Sequence, residues 1–410
     1  MDGSLRTRPE DVGLSSPQLA RVDTWMDRLV ADGKLAGLSV TVARRGRVAY
    51  QRAAGLANLV TGAPMAADTI VRIYSMTKPL TSVAAMMLYE EGRFQLDDPI
   101  SRFLPEFTDM TVAVGGNALK LELEPARRPI TWRHLLTHTS GLTYGFMQAT
   151  LVDALYRSRT VDFQTEDCSL ADMVTRLATL PLVSQPGDEW NYSVATDVLG
   201  RLVEVVSGQP FAAFLHERIL RPLGMADTGF RVHDPARFAA NYARGADGAL
   251  ALVDDPATSA YLRDRPIASG GGGLASTAAD YMRFCQFMLN KGELDGVRLL
   301  GRKTVELMTA NHLHNHLGGV DMAAMGQPRF SESNYEGIGF GLGFSVTLDP
   351  ARAQILGSPG EYAWGGAAST AFWCDPAEEM AVVLLTQLMP SSTYPIRREL
   401  RVLTYAAVVD

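Results

Sequence analysis

The apolar, β-branched runs of this chain stand near its two ends, so any sheet they build has to be closed by segments from both. Near the start, Gly37 to Arg44 and Arg47 to Ala54 flank an Arg45-Gly46 turn and read as a hairpin. Near the end, Phe340 to Leu348, Ala368 to Cys374 and Glu379 to Gln387 are short, apolar and rich in aromatic or β-branched residues. A helix from Ser16 to Asp32 precedes the first group, and another from Thr393 to Val409 closes the chain. The middle differs. Leu170 to Leu180, Ser193 to Ser207 and Phe211 to Leu220 carry apolar residues at helical spacing, joined by turns such as Gln185-Pro186-Gly187-Asp188. The economical architecture is α+β. Residues 1–97 and 291–410 form a domain with one antiparallel sheet flanked by helices, and residues 98–290 form a mainly helical insertion domain.

A chain of 410 residues, 47% hydrophobic, can bury a core large enough for a dry site. Its net charge of -7 argues against nucleic acid or an anionic membrane as partner, since both want a basic face. Cys168, Cys285 and Cys374 are an odd count without metal-ligand spacing, which fits a reducing compartment. Met1 to Arg8 is polar and holds no apolar leader core, and no stretch approaches the roughly 18 apolar residues of a membrane span. A cytoplasmic protein of undetermined oligomeric state is expected.

The chemistry centres on Ser75-Met76-Thr77-Lys78. Thr77 to Glu91 reads as a helix with Leu80, Val83, Ala84, Met87 and Leu88 on one stripe and Gly92 as its stop. Pro79 is tolerated because it falls in the first turn. Ser75 therefore sits at the helix N-terminus, with Lys78 on the same side. A serine hydroxyl needs a base, and a lysine amine can serve once burial lowers its pKa. The positive end of the helix dipole favours both the neutral amine and a developing oxyanion.

Four further segments accompany it: Leu135-Leu136-Thr137-His138-Thr139-Ser140-Gly141-Leu142, Pro186-Gly187-Asp188-Glu189-Trp190-Asn191-Tyr192-Ser193, Pro222-Leu223-Gly224-Met225 and Ser269-Gly270-Gly271-Gly272-Gly273-Leu274. In this order the five resemble the landmarks of serine β-lactamases and penicillin-binding proteins, the class C branch above all. The resemblance spans Gly37 to Gln387 and implies a β-lactamase/transpeptidase-like fold. It makes Ser75 the nucleophile, Lys78 and Tyr192 its proton-transfer partners, and the backbone N–H groups of Ser75 and Ala367 the oxyanion hole. No metal or cofactor is implied.

The departures are specific. Where that family carries Lys-Thr-Gly facing the nucleophile, this chain has Trp364-Gly365-Gly366, and Val194 replaces the asparagine two places after the tyrosine. An indole and an isopropyl group thus stand in for a carboxylate-binding cation and an amide-binding side chain. In this the chain is similar to the family VIII carboxylesterases and the related fungal acyltransferase of statin synthesis. The expected activity is hydrolysis of small, short-chain esters through an acyl-enzyme. Gly365 and Gly366 are expected to let backbone approach the substrate, and Trp364, Val194 and Tyr144 to line the pocket. The competing readings are a β-lactamase or D-alanyl-D-alanine peptidase, an acyltransferase using the same acyl-enzyme, and a scaffold without catalysis.

The remaining motifs are read more plainly. His134 and His138 lack the glutamate of a zinc protease, since Leu135 follows the first, and are expected to be structural. His312, His314 and His316 alternate in a stretch expected to be an exposed loop, not a metal site. No Gly-Lys-Ser/Thr follows Gly270 to Gly273, which read as a sharp turn before a helix capped by Thr277. A Gly-x-Ser-x-Gly nucleophile elbow is absent.

Overall fold

The computed structural model describes residues 6–117, 120–161, 168–314, 320–326 and 335–410; Met1 to Leu5 and His316 lie outside them. The two ends of the chain meet in one antiparallel sheet of eight strands. Gly37–Arg44 (β1), Arg47–Asn58 (β2) and Ala63–Pro64 (β3) come from one end. Ile338–Phe340 (β4), Ser345–Thr347 (β5), Tyr362–Gly365 (β6), Ala371–Asp375 (β7) and Met380–Thr386 (β8) come from the other. Their order is β4-β5-β6-β7-β8-β1-β2-β3, and the join is β1 on β8, with Val40 opposite Leu384.

The side-chain alternation of β8 shows how this join is held. Met380, Val382 and Leu384 enter a core with Leu38, Val40 and Val42 of β1 and with the helices Ser16–Ala31 (α1) and Ile396–Tyr405. Ala381, Val383 and Leu385 point into the larger core on the opposite face. Each buried Val or Leu contributes roughly 1.5–3 kcal/mol relative to exposure. β8 therefore reads as an unbroken apolar run because both of its faces are covered.

Sequence and structure differ at several places in the sheet, three of them on the side of the later strands. The run expected from Phe340 to Leu348 is two strands, because the chain reverses between them at Gly343, with φ +102. The strand β6 has no counterpart among the expected strands, being four residues long and ending in glycine. β7 begins at Ala371 and not Ala368, since Gly366 N–H donates to Thr370 O at 2.9 Å and the residues between form a turn.

In the helical part, Thr77–Glu90 (α2) is buried on every side from Thr77 to Leu88, more completely than its one apolar stripe suggested. It packs against Ala195–Ser207 (α3) and Phe211–Leu215. Ala278–Leu289 (α4), capped by the Thr277 side chain accepting from Asp280 N–H, lies on β8, β7 and β1 although it falls within residues 98–290. A single apolar core joins Val383 of β8, Phe284 of α4, Val83 of α2 and Val198 of α3. The closing helix Ile396–Tyr405 (α5) is shorter than the expected Thr393 to Val409; Pro395 stands at its N-cap. No single helix among the described residues is long and apolar enough to cross a membrane.

Candidate active site

Ser75 is delivered by a short, tightly held approach. Val71–Arg72 pairs with Ala275–Ser276, and Ile73 N–H donates to Leu274 O at 3.1 Å. Tyr74 then takes φ +43, a conformation that costs a residue with a Cβ and that is kept only where its surroundings impose it. Here Asn241 Nδ2 donates to the Tyr74 hydroxyl at 2.9 Å. The chain turns through the 3-10 turn Tyr74–Met76 into α2, which leaves Ser75 half-buried above a fully buried helix.

Lys78, one turn on and 2% exposed, directs its Nζ at Ser75 Oγ (3.3 Å), Tyr144 Oη (3.0 Å) and Gly271 O (2.6 Å). Tyr192 Oη donates to Ser75 Oγ at 2.6 Å. Burial pushes the Lys78 ammonium from its usual range down to about 7, with the buried Asp197 carboxylate opposing. Asp197 is itself engaged by Ser269 Oγ at 2.5 Å and Gly271 N–H at 3.1 Å. Burial drives the Tyr192 phenol upward, with Ser75 and the Trp364 side chain pulling the other way. The lysine can therefore lose its proton near neutrality while the phenol keeps its own.

The glycine turn supplies what the sequence reading missed, a backbone acceptor for Lys78. It can approach because it has no Cβ: one on Gly271 would lie 2.5 Å from Asp197 Oδ2 and 2.9 Å from Tyr144 Oη. A backbone carbonyl has no sequence signature.

Ser75 opens onto a cavity of about 500 Å³. Tyr192, Trp364, Gly365, Gly366 and Ala367 line it with Ser75, and Phe146, Met147, Tyr335 and Ile338 add apolar wall. Trp364 stands edge-on to Phe340, ring centres 5.3 Å apart. Two expectations are corrected. Tyr144 is not part of the lining; it is 1% exposed, and its hydroxyl accepts from Lys78. Val194 does not line the cavity either, because it is fully buried at the N-cap of α3, with its N–H donating to Thr143 O.

The glycines at 365 and 366, which line the cavity, also have a packing cause. A Cβ on Gly366 would lie 2.4 Å from Ile73 O, and one on Gly365 would lie 2.7 Å from Arg397 Cζ. They let the β6 end close against the Ser75 approach and against α5. Arg397 was missed in the sequence. Its Nη2 donates to Gly366 O (2.7 Å) and Thr370 O (2.9 Å), bracing the turn that presents Ala367, and it lines the cavity. A cation thus does reach this site, from the far helix and not from the strand that carries Trp364.

The histidines hold neighbouring backbone in place. His138 shares a hydrogen bond with Ser193 Oγ at 3.1 Å, and its carbonyl accepts Asn191 N–H, which fixes the residues on both sides of Tyr192. Burial keeps that ring neutral, pushing its pKa far below the ordinary range, with Lys78 adding to the effect. His134 Nδ1 accepts from Thr131 N–H in a capping box. His312 bonds Leu307 O and is half-buried; His314 is exposed and contacts His312 O. Among the described residues, no cluster of three or more His, Cys, Asp or Glu is arranged to hold a metal.

The beta-lactamase family model matches residues 22–406. The chain belongs to the beta-lactamase family. Esterase EstB of Burkholderia gladioli is 33% identical to this beta-lactamase-family chain over 383 residues, 90% of each protein. Monacolin J acid methylbutanoyltransferase of Aspergillus terreus is 32% identical over 354 residues, 82% of this chain and 81% of the other. Among solved structures, EstCE1, described as a hydrolase with promiscuous acyltransferase activity, superposes with a TM-score of 0.81 at 29% identity, covering 95% of this chain and 99% of the other. The family, its β-lactamase/transpeptidase-like fold and the resemblance to esterases and statin acyltransferases are as read from the motifs. This member is an enzyme, a hydrolase or acyltransferase.

Proposed function

We propose that this protein is a serine carboxylesterase that hydrolyses small, short-chain esters through an acyl-enzyme on Ser75. The observation that carries the reading is the chain Tyr192 Oη, Ser75 Oγ, Lys78 Nζ, with links of 2.6 and 3.3 Å, at the wall of a largely apolar cavity. With its pKa near 7, Lys78 is substantially an uncharged amine at neutral pH. It takes the Ser75 proton as Oγ bonds to the acyl carbon. The carbonyl oxygen, now an oxyanion, is received by the backbone N–H groups of Ser75 and Ala367. As the tetrahedral intermediate collapses, Tyr192 donates its proton to the departing alkoxide and regains one from the Lys78 ammonium. Water then attacks the acyl-enzyme by the same steps in reverse. Lys78 and Tyr192 act as one proton-transfer unit, so the effects of removing them should not add.

The apolar wall formed by Trp364, Phe146 and Ile338 favours uncharged acyl and alcohol groups. A second reading, transfer of the acyl group to another alcohol, is supported by the cavity of about 500 Å³, which exceeds the needs of a short acyl chain, and by the likeness to a methylbutanoyltransferase. A fluorophosphonate probe followed by peptide mass mapping tests the common step, with the adduct expected on the Ser75 peptide. A label on another serine would sink the mechanism. Adding a primary alcohol to a p-nitrophenyl ester assay separates the two readings: hydrolysis gives free acid throughout, whereas transfer gives the new ester.

A further inference from the structure

A second cavity, of about 490 Å³, opens at the Gly187-Asp188 end of the segment that leads to Tyr192, and among the described residues shares no lining residue with the first. Arg127, Arg128, Arg133, His134 and His312 surround it with Asp188. Arg127 and Arg128 both pair with Asp188, at 2.9 and 3.2 Å. Among the described residues Arg133 has no acidic partner, and its buried Nε has no hydrogen-bond acceptor. Among the described residues that line it, three guanidiniums stand against one carboxylate, two positive charges in excess on a chain whose net charge is -7.

The histidines register that field. Burial lowers His134 to about 4, with Arg128 and Arg133 adding to the shift, and His312 is lowered by burial with Arg133 and His314 contributing. His134 also has its tautomer set. Because Nδ1 accepts from Thr131 N–H, the ring proton is on Nε2, at the wall beside Gly187. Gly187 has φ +88, and a Cβ there would lie 3.1 Å from His134 Nε2 and 3.3 Å from Arg128 Nη1, so these two nitrogens lie close together beside it.

We propose that this cavity binds a dianionic phosphate, free or as the monoester of a small metabolite. Guanidinium forks match phosphate oxygens geometrically and stay charged at any physiological pH. A phosphomonoester, which carries close to two negative charges at neutral pH, balances the excess. The cavity is wider than a phosphate group, which leaves room for the alcohol part of a monoester.

The test is calorimetric titration of the full-length protein at low ionic strength and pH 7.5 with inorganic phosphate, glycerol 3-phosphate and citrate. One saturable site for phosphate or the monoester is expected, weakened at least about 10-fold by Arg133→Met and less by Arg133→Lys. Both variants should keep turning over p-nitrophenyl acetate, which shows that any lost binding is not lost folding. Tighter binding of glycerol 3-phosphate points to a metabolite monoester, and tighter binding of inorganic phosphate to the free ion. Occupancy should also raise the His134 ring pKa from about 4, read by NMR of the imidazole nitrogens. Absence of a saturable site, unchanged affinity in Arg133→Met, or a preference for citrate over both phosphates would overturn the proposal.

Discussion

The two cavities have nearly equal volumes, about 500 and 490 Å³, and both border the segment from Gln185 to Tyr192, yet they use positive charge in opposite ways. Behind the wall of the first, a lysine is buried beside hydroxyls and a carbonyl, and burial strips its proton near neutrality, while the guanidiniums that line that cavity are tied down, Arg397 and Arg398 by backbone carbonyls and Arg401 by Glu361. In the second, arginines keep their charge, and the cost falls on the histidines beside them. An ammonium can be turned into a base by desolvation, whereas a guanidinium cannot and remains an anion receptor. Residue choice, more than burial itself, separates a site that can do chemistry from one that can only hold charge.

The largest expected effect belongs to the first cavity alone. Ser75→Ala should lower ester turnover by at least about 10⁴-fold, as expected for removing a nucleophile, while leaving phosphate binding in the second cavity unchanged. Steady-state assay and calorimetry on one preparation check both halves.

Substrate choice comes next. With Trp364 where the resemblance to serine β-lactamases implies a cation, kcat/KM for p-nitrophenyl butyrate should exceed that for benzylpenicillin by at least roughly 10³, the scale at which unpaired polar groups cause rejection. The arginines that line the cavity do not remove this difference, because Arg397 Nη2 is committed to Gly366 O and Thr370 O, Arg398 to Gln354 O and Arg401 to Glu361. Side-by-side kinetics with Trp364→Lys as a third arm decide it, and equal efficiencies in the unmodified protein would move a β-lactamase reading ahead.

Exchanging the two kinds of cation sharpens the contrast. Lys78→Arg keeps the charge but cannot yield a base, so kcat should fall by roughly 10² or more. Tyr192→Phe should cost a similar factor, and the pair should be far from additive. Near-normal rates in Lys78→Arg would mean that a neutral amine is not required.

How far the sequence reveals this depends on what holds each part in place. β8 and α2 are readable because their apolar periodicity records burial directly, and Ser75 with Lys78 because three residues of helix put them on one side. Tyr192 is readable from its Pro-Gly-led motif. Arg397 is not: it sits on an ordinary amphipathic helix, and only the tertiary fold brings it to Gly366 O. β6 is too short for its alternation to show. Tyr144 and Val194 are not readable either, because turn geometry, which sequence does not encode at that resolution, decides whether they face the cavity or the core.

The smallest expected effect concerns that same tyrosine. Its hydroxyl accepts from Lys78 and so stabilises the ammonium. Tyr144→Phe should therefore lower the Lys78 pKa further, moving the acid limb of the pH profile to lower pH with a rate loss of only about 10-fold or less. An unmoved limb would show that this hydrogen bond does not tune the base.

The central claim is that Lys78 works as a neutral amine, and the pH dependence of the acylation rate addresses it most directly. Stopped-flow release of p-nitrophenol in the first turnover, measured from pH 5 to 9, isolates the step in which Lys78 takes the Ser75 proton. Because the base is the deprotonated form of a group whose pKa is lowered to about 7, the rate should climb with pH through that midpoint and level off above it. A rate that is flat across this range, or that falls as pH rises through 7, would contradict the assignment.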